Sequence, residues 1–274
     1  MNCYTYEIAS PALKPFIQFI LFNYSTDSCT SSSVTYYPNN DICLGIVHKK
    51  QMVSCDNQFI LLDAAQSINS YLTGFYRNPH KLCVNGSFDE ICLPFTPLGY
   101  YHFFRFPLKE YILEEDVLSE AFGSSSLYFF ESVFDEPHIQ KRGSLIEKYL
   151  YKKLIDFDDP FLKTALCQLQ ESKGNLSLKD LTATLNCSEK KLQRVFKQQL
   201  DVMPKDYVQI LKFREALHFL GSDNINTLTE VAYEAGYYDQ SHFIRNINRF
   251  TGKKPGELKK IIEHIDQKVL VSFA

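Results

Sequence analysis

Two stretches near the C-terminal end carry basic, amide and hydroxyl side chains three or four residues apart. This spacing places each set on one face of a helix. Arg and Lys can bond the acceptors of guanine, and Gln and Asn can pair with adenine, so the chemistry indicated is hydrogen bonding to base edges and phosphates. The candidates are Lys190, Gln193, Arg194 and Lys197 in the first stretch and Gln240, Ser241, Arg245 and Asn248 in the second.

The opposite face of each stretch is apolar, with Leu192, Val195 and Phe196 in the first and Phe243, Ile247 and Phe250 in the second. One such helix alone is typical of an ordinary solvated surface. Here the pattern occurs twice, and each copy follows a short helix that ends at a turn residue, Asn186 or Gly236. A short helix, a tight turn and a second helix form a helix-turn-helix unit, in which the second helix enters the major groove.

A helix predicted from Pro204 to Leu220 joins the two units. Its apolar residues are expected on one side and are Tyr207, Ile210, Phe213, Leu217 and Leu220. A helix of this length spans roughly 25 Å. As a rigid spacer it could set the two reading helices about one duplex turn apart, near 34 Å, so that one chain reads two successive major-groove segments.

No residue pattern indicates an enzyme or a metal site, and we expect no cofactor. His48, His80, His102 and His138 are isolated from one another, without a His-x-His or His-Glu-x-x-His pattern. The eight cysteines are scattered without a C-x-x-C pair, which favours reduced, mostly buried thiols. A phosphate-binding glycine loop and a Gly-x-Ser-x-Gly elbow are also missing.

Net charge and the pattern of strand and helix signals differ between the two parts of the 274-residue sequence. Residues 1–159 hold 12 basic and 19 acidic side chains, a net −7, whereas residues 160–274 hold 17 and 13, a net +4. The basic part is the candidate for a polyanionic partner. We predict a sensor or regulatory domain over 1–155 and a DNA-binding domain over 156–274, with helix-turn-helix units near 177–200 and 227–250. The acidic 156–160 segment marks the boundary.

The first domain is predicted to be α+β, with a strand-rich core and a helical tail. Strand character is found in Val34–Tyr37, Ile42–Val47, Phe59–Leu62 and Ile91–Leu93. Asn85-Gly86 between two such runs predicts a hairpin, and Ser10-Pro11 predicts the start of an opening helix. Helices are expected over 98–104, 114–122, 125–134 and 137–153. The aromatic run over 100–106 favours a core or interdomain position over a pocket lining.

The second domain is predicted to be all-α, without period-two alternation. Seven helices are expected near 160–172, 177–185, 188–200, 204–220, 227–235, 239–250 and 255–265. Asp159 is expected to cap the first of them, which starts at Pro160. The longest apolar stretch near the N-terminus, Phe16 to Phe22, is far shorter than a membrane span and lacks a basic segment before it. We therefore expect a soluble, cytoplasmic protein without a membrane partner.

The C-terminal part resembles the DNA-binding domain of AraC/XylS-type bacterial transcription regulators over about residues 160–265. The first half of that domain resembles Cys187 to Tyr207, and its second half resembles Glu230 to Pro255, most specifically Ala-Gly-Tyr-Tyr-Asp-Gln-Ser-His-Phe. The resemblance implies base-facing roles for Lys190, Gln193, Arg194, Gln240, Ser241, Ile244, Arg245 and Asn248. Ile247 and Asn248 depart from the Phe and the basic residue usual in the family, which makes the second helix less basic than is typical.

The N-terminal half resembles the sensor half of one AraC-type subgroup in three segments, which cover 10–16, 36–41 and 95–100. This resemblance implies a strand-rich, cupin-like barrel that binds a small effector of unknown identity or forms a homodimer.

The sequence thus favours a sequence-specific regulator that binds double-stranded DNA, with RNA polymerase as a further partner if it is an activator. Two alternatives stay open: a nucleic-acid-associated enzyme with an accessory helix-turn-helix domain, and a protein-interaction module.

Overall fold

A computed structural model describes residues 2–28, 31–55, 58–112, 116–221, 227–261, 263–265 and 269–273. Its strands form one nine-stranded sheet in the order β1-β2-β7-β4-β5-β6-β3-β9-β8. The strands are β1 (Asn2–Glu7), β2 (Phe19–Ser25), β3 (Ser31–Tyr36), β4 (Ile42–Cys55), β5 (Gln58–Thr73), β6 (His80–Asn85), β7 (Phe88–Phe95), β8 (Glu263–Ile265) and β9 (Val269–Phe273).

The long hairpin of β4 and β5 lies at the centre of this sheet. Its register shifts between His48 and Lys50, and Lys49 between them has φ 52°. Such a bulge bends a hairpin and increases its twist. The first part of β4, residues 42–47, pairs with β7. The first part of β5, residues 58–61, pairs in parallel with β6. The other neighbouring strands pair antiparallel, so the sheet curves into a half-barrel.

The predicted strand segments all lie within strands, with Tyr37 just beyond the end of β3, but the hairpin predicted at Asn85-Gly86 is wrong. Gly86 does take a turn conformation, with φ 75°. The strands on either side of it do not pair with each other, because β6 lies between β5 and β3 while β7 lies between β2 and β4. The dipeptide therefore turns the chain from one part of the sheet to another.

The opening helix predicted at Ser10-Pro11 is also replaced by a shorter structure. The backbone N–H groups of Leu13 and Lys14 both donate to the carbonyl of Ser10, and Ile17 then bridges to Phe95. These consecutive turns lead directly into β2, which leaves no room for a helix.

In the described residues before Pro160, four α-helices contact the sheet: α1 (Pro97–Tyr101), α2 (Val117–Phe122), α3 (Ser125–Asp135) and α4 (Ile139–Lys153). Together with the sheet they form the N-terminal region. The aromatic run over 100–106 supplies its core, since Tyr100 and Phe104 are fully buried and stack at 4.5 Å. Tyr101 instead reaches the C-terminal helices and donates to the carbonyl of Gln199 at 2.7 Å. The run thus serves as core and as a seam between the two regions.

The C-terminal region contains seven helices close to the predicted positions: α5 (Pro160–Glu171), α6 (Leu178–Thr184), α7 (Glu189–Leu200), α8 (Pro204–Leu220), α9 (Leu228–Glu234), α10 (Gln240–Thr251) and α11 (Pro255–Ile261). As predicted, the Asp159 side chain caps α5 by accepting a hydrogen bond from the Leu162 backbone at 2.9 Å. None of the helices in the described ranges is long and apolar enough to cross a membrane.

The end of the chain differs from the prediction. The helix expected over 255–265 ends at Ile261, and β8 and β9 follow it. The second of these strands pairs antiparallel with β3, so the C-terminal segment extends the sheet of the N-terminal region. Strands this short show too few alternations to be told from a helix end by periodicity.

Helix α8 is buried on more than the one side that was predicted. Tyr207, Ile210 and Phe213 are fully buried as expected, but Leu211 and Ala216 are buried as well. The N-terminal region also contacts α8, since the Phe75 ring meets the Tyr207 ring edge-on at 5.5 Å. The spacer helix therefore contacts both helix-turn-helix units and the sheet region.

Candidate nucleic-acid interface

The first unit consists of α6, α7 and the turn between them. Ser177 and Ser188 cap the two helices, because each side-chain oxygen accepts a hydrogen bond from the backbone N–H three residues ahead, at 3.1 and 3.2 Å. The turn passes through Asn186 with φ 45°, a left-handed conformation that asparagine tolerates. These local contacts fix the orientation of α7 relative to α6.

The two faces of α7 separate as the sequence predicts. Leu192 and Phe196 are buried, and Val195 is half-buried. All four predicted residues of the polar face are exposed: Lys190, Gln193, Arg194 and Lys197. They share one solvent-facing side of a twelve-residue helix, which is the arrangement that a reading helix needs.

The second unit consists of α9, α10 and their turn. Thr227 and Glu230 form a reciprocal capping box at the start of α9, and Asp239 caps α10 by accepting from the His242 backbone at 2.6 Å. The turn passes through Gly236 with φ 72°. A Cβ at this position would lie 1.7 Å from Oδ1 of Asn175, so that side chain would have to move, and the left-handed backbone itself favours glycine.

The faces of α10 also separate as predicted. Phe243, Ile247 and Phe250 are buried at 1% exposure or less. Four of the five predicted residues of the opposite face are exposed, and Ile244 is half-buried at its edge; the exposed ones are Gln240, Ser241, Arg245 and Asn248. That these side chains and those of α7 contact DNA stays a prediction.

Helix α8 anchors the second unit through polar contacts that the sequence analysis did not identify. The Lys212 ammonium donates to the Gly236 carbonyl at 2.6 Å, and burial lowers the pKa of this lysine. The Tyr237 hydroxyl donates to Asn246 at 2.7 Å, and the Asn246 amide donates to Gln209 on α8 at the same distance. The turn of the second unit is therefore linked to α8 twice, directly at Gly236 and through Asn246 at Tyr237.

Each reading helix also carries a cation beside a carboxylate. In the first unit, Lys197 pairs with Asp201 at 2.5 Å. In the second, Arg249 lies 3.5 Å from Asp206, and the same carboxylate binds Arg77 of the N-terminal region at 3.0 Å. Arg249 was not among the predicted residues, although it is a basic residue in the last turn of α10 beside Asn248.

The histidines of the N-terminal region pack on aromatic rings or bond locally. His102 stacks on Phe16 at 3.9 Å and His80 on Phe59 at 4.9 Å. Across the described residues, no group of three or more His, Cys, Asp and Glu is arranged to hold a metal ion. The described cysteine side chains are free thiols, and those of Cys29 and Cys55 lie outside the described part.

A small cavity of ≈ 90 Å³ lies between the inner face of the sheet and α8. Its wall is largely aromatic and apolar, with Phe19, Tyr76 and Leu82 among its residues. Two charged groups reach it, Asp41 from the start of β4 and Arg214 from α8. Burial raises the pKa of Asp41 to about 6, although the positive charge of Arg214 opposes this shift. The wall of the cavity therefore contains opposite charges, one from each of the two regions.

The fold and the exposed faces define a double helix-turn-helix domain. A family profile described as a helix-turn-helix domain matches residues 181–261. The transcriptional activator RhaS of Enterobacter sp. (strain 638) is 24% identical over 148 residues, which are 54% of this chain and 49% of that protein. The chain thus spans about half the length of the curated relative it matches. These matches show a helix-turn-helix domain over residues 181–261, and they make part of the chain similar to a bacterial transcriptional activator.

Solved structures with a similar arrangement include ToxT of Vibrio cholerae O395, with 11% identity, coverage of 88% of this chain and 97% of that one, and a TM-score of 0.47. ToxT of Vibrio cholerae strain SCE256 with a bound unsaturated fatty acid has 13% identity, coverage of 88% and 94%, and the same TM-score. A regulator of Chromobacterium violaceum with an AraC-type DNA-binding domain has 23% identity, coverage of 36% and 88%, and a TM-score of 0.33.

Proposed function

We propose that the protein is a sequence-specific DNA-binding transcription regulator that reads two adjacent major-groove segments with α7 and α10. The observation that carries the proposal is the repeated geometry. Two capped helices each present an exposed polar face, and the same buried helix, α8, packs against both units. A solvated surface does not require two helix-turn-helix units that pack on one shared helix.

In this mechanism the two kinds of side chain have different tasks. Lysine and arginine contacts to phosphates supply most of the affinity and its dependence on salt. In this proposal the exposed side chains of Arg194 and Arg245 bond guanine, and those of Gln193, Gln240 and Asn248 bond adenine, which supplies sequence preference. The mechanism includes no chemical step, so we propose a non-enzymatic role.

The proposed division of labour puts regulation in residues 1–155 and DNA binding in residues 156–274. The cavity beside Asp41 and Arg214 is the candidate effector site, because a ligand there would contact the sheet and α8 together. Dimerisation through the N-terminal region, and contact with RNA polymerase if the protein activates transcription, complete the proposal.

Fluorescence anisotropy tests the main proposal. The full-length protein is titrated onto duplexes from its own upstream region and onto scrambled duplexes, across a salt series. We expect preference for native DNA and an affinity that falls steeply with salt. The double variant Arg194→Ala, Arg245→Ala should lose that preference, whereas Lys141→Ala on the exposed surface of α4 should retain it. Salt-insensitive binding, or none, would favour the protein-interaction alternative.

Thermal shift measurements test the effector site. Small apolar and aromatic compounds form the panel, which also includes an unsaturated fatty acid because ToxT binds one. A ligand of this cavity should raise the melting temperature of the wild type and have a smaller effect on Arg214→Gln. Equal shifts in the two proteins would place the ligand elsewhere.

A further inference from the structure

The turns of the two units differ by one residue. In both, the left-handed residue and the one after it make the same backbone bonds, with Cys187 donating to Thr182 and Tyr237 donating to Ala232. The helix cap follows at once in the first unit, at Ser188. In the second unit Tyr238 stands between Tyr237 and the cap, Asp239.

The additional residue is a tyrosine in open solvent. Tyr238 is 87% exposed, more than any other large hydrophobic or aromatic side chain in the described part of the chain. Its neighbour Tyr237 is 3% exposed and packs its ring against Phe243 at 5.5 Å. One tyrosine of the pair therefore fixes the turn, while the other extends away from it.

The backbone that carries Tyr238 is held on both sides. The Gly236 carbonyl accepts a hydrogen bond from Lys212, and the Tyr237 hydroxyl is bonded to Asn246. On the other side, Asp239 is fixed by its cap contact with His242. A tyrosine has few rotatable bonds, so little conformational freedom is lost when its hydroxyl finds a partner.

We propose that the Tyr238 hydroxyl donates a hydrogen bond to a DNA phosphate at the edge of the groove that α10 enters, and so sets the register of that helix. The inference rests on the proposed function. Residues at the start of a reading helix contact base edges, so the residue just before the helix cap lies at the level of the sugar-phosphate strand. Tyrosine is among the side chains that bond phosphate oxygens.

A neutral donor has a distinctive signature. Removing a lysine contact lowers affinity and also lowers the steepness of the salt dependence, because fewer counterions are released. Removing the Tyr238 hydroxyl should lower affinity without changing that steepness. Phosphate contacts carry no sequence information, so native and scrambled duplexes should be affected alike.

The test compares Tyr238→Phe and Tyr238→Ala with Tyr128→Phe, a control at a tyrosine 77% exposed on α3. Duplexes from the upstream region are used at several salt concentrations, and the melting temperature of each variant is measured. We expect both Tyr238 variants to bind about tenfold more weakly, the effect of one hydrogen bond to a charged group. Their salt slope and melting temperature should equal those of the wild type, and the Tyr128 variant should bind normally.

Methylphosphonate substitution locates the contact. Neutralising the contacted phosphate should weaken the wild type and leave the affinity of Tyr238→Phe nearly unchanged. Wild-type affinity in Tyr238→Phe would overturn the inference and leave the proposed function standing, even if Tyr238→Ala were weaker, because the ring alone would then make the contact. Failure of the wild type to bind any duplex would overturn both.

Discussion

The two helix-turn-helix units have the same backbone plan but differ in charge and in support. The exposed face of α7 carries Lys190, Arg194 and Lys197, whereas the predicted face of α10 carries one cation, Arg245. The turn of the first unit relies on its own caps, while polar contacts from α8 hold the turn of the second.

From this difference we expect the firmer positioning of α10 to compensate for its lower charge. Contacts from lysine tolerate small errors of placement, since the ammonium is a flexible point charge. Hydrogen bonds from amide and hydroxyl groups require good geometry. We therefore expect the first unit to supply more of the salt-dependent affinity, and the second to depend more on the rigidity of its turn.

The largest expected effect comes from breaking that rigidity. Gly236→Ala puts a Cβ on a left-handed residue with φ 72° and displaces the Asn175 side chain, so we expect the free energy of unfolding to fall by about 2 kcal/mol. The matched change in the first unit, Asn186→Gly, replaces a tolerated left-handed residue by one that adopts the conformation freely. Its stability should stay within about 1 kcal/mol of the wild type in urea denaturation. Similar losses in both variants would mean that the turns are equally constrained.

These turns also show why the sequence predicts one region better than the other. The backbone hydrogen bonds of both turns and the caps at Ser188 and Asp239 join residues only a few positions apart. Local patterns therefore sufficed to predict both reading helices and their exposed faces.

The N-terminal sheet depends on contacts between distant segments. Asn85-Gly86 forms a turn, but the partners of β6 come from β3 and β5, which no dipeptide can specify. The pairing of β9 with β3 joins segments more than 200 residues apart in the sequence and was missed for the same reason. The burial of Leu211 and Ala216 on α8 was missed because it depends on packing against segments that are distant in the sequence.

The next prediction distinguishes the contributions of the two units to sequence-specific DNA binding. Arg194→Ala and Arg245→Ala should each weaken specific binding by roughly 1–3 kcal/mol, and each should relax sequence preference in a different half of the site. Hydroxyl-radical footprints and base-substitution series would map the two halves. Unchanged footprints in both variants would contradict the assignment of α7 and α10 as reading helices. Loss of both halves in either variant would mean that the units bind only together.

The smallest effect concerns the carboxylates beside each reading helix. Asp201→Asn removes the charge that pairs with Lys197, and asparagine suits the left-handed backbone at this position, φ 52°. Asp206→Asn releases Arg249 and also breaks the ion pair with Arg77 of the N-terminal region. Exposed ion pairs are weak, so we expect about a twofold gain in affinity for scrambled DNA from each change.

The variant Arg77→Ala separates two explanations for the effect of Asp206→Asn. This change removes the link between Asp206 and the N-terminal region but leaves the carboxylate in place beside Arg249. If the carboxylate acts only by screening the cation, Arg77→Ala should not raise DNA affinity, and anisotropy at low salt should match the wild type. If it acts by holding the second unit against the N-terminal region, Arg77→Ala should reproduce the gain of Asp206→Asn. The first unit has no equivalent link through Asp201, so only the second unit can separate these two explanations.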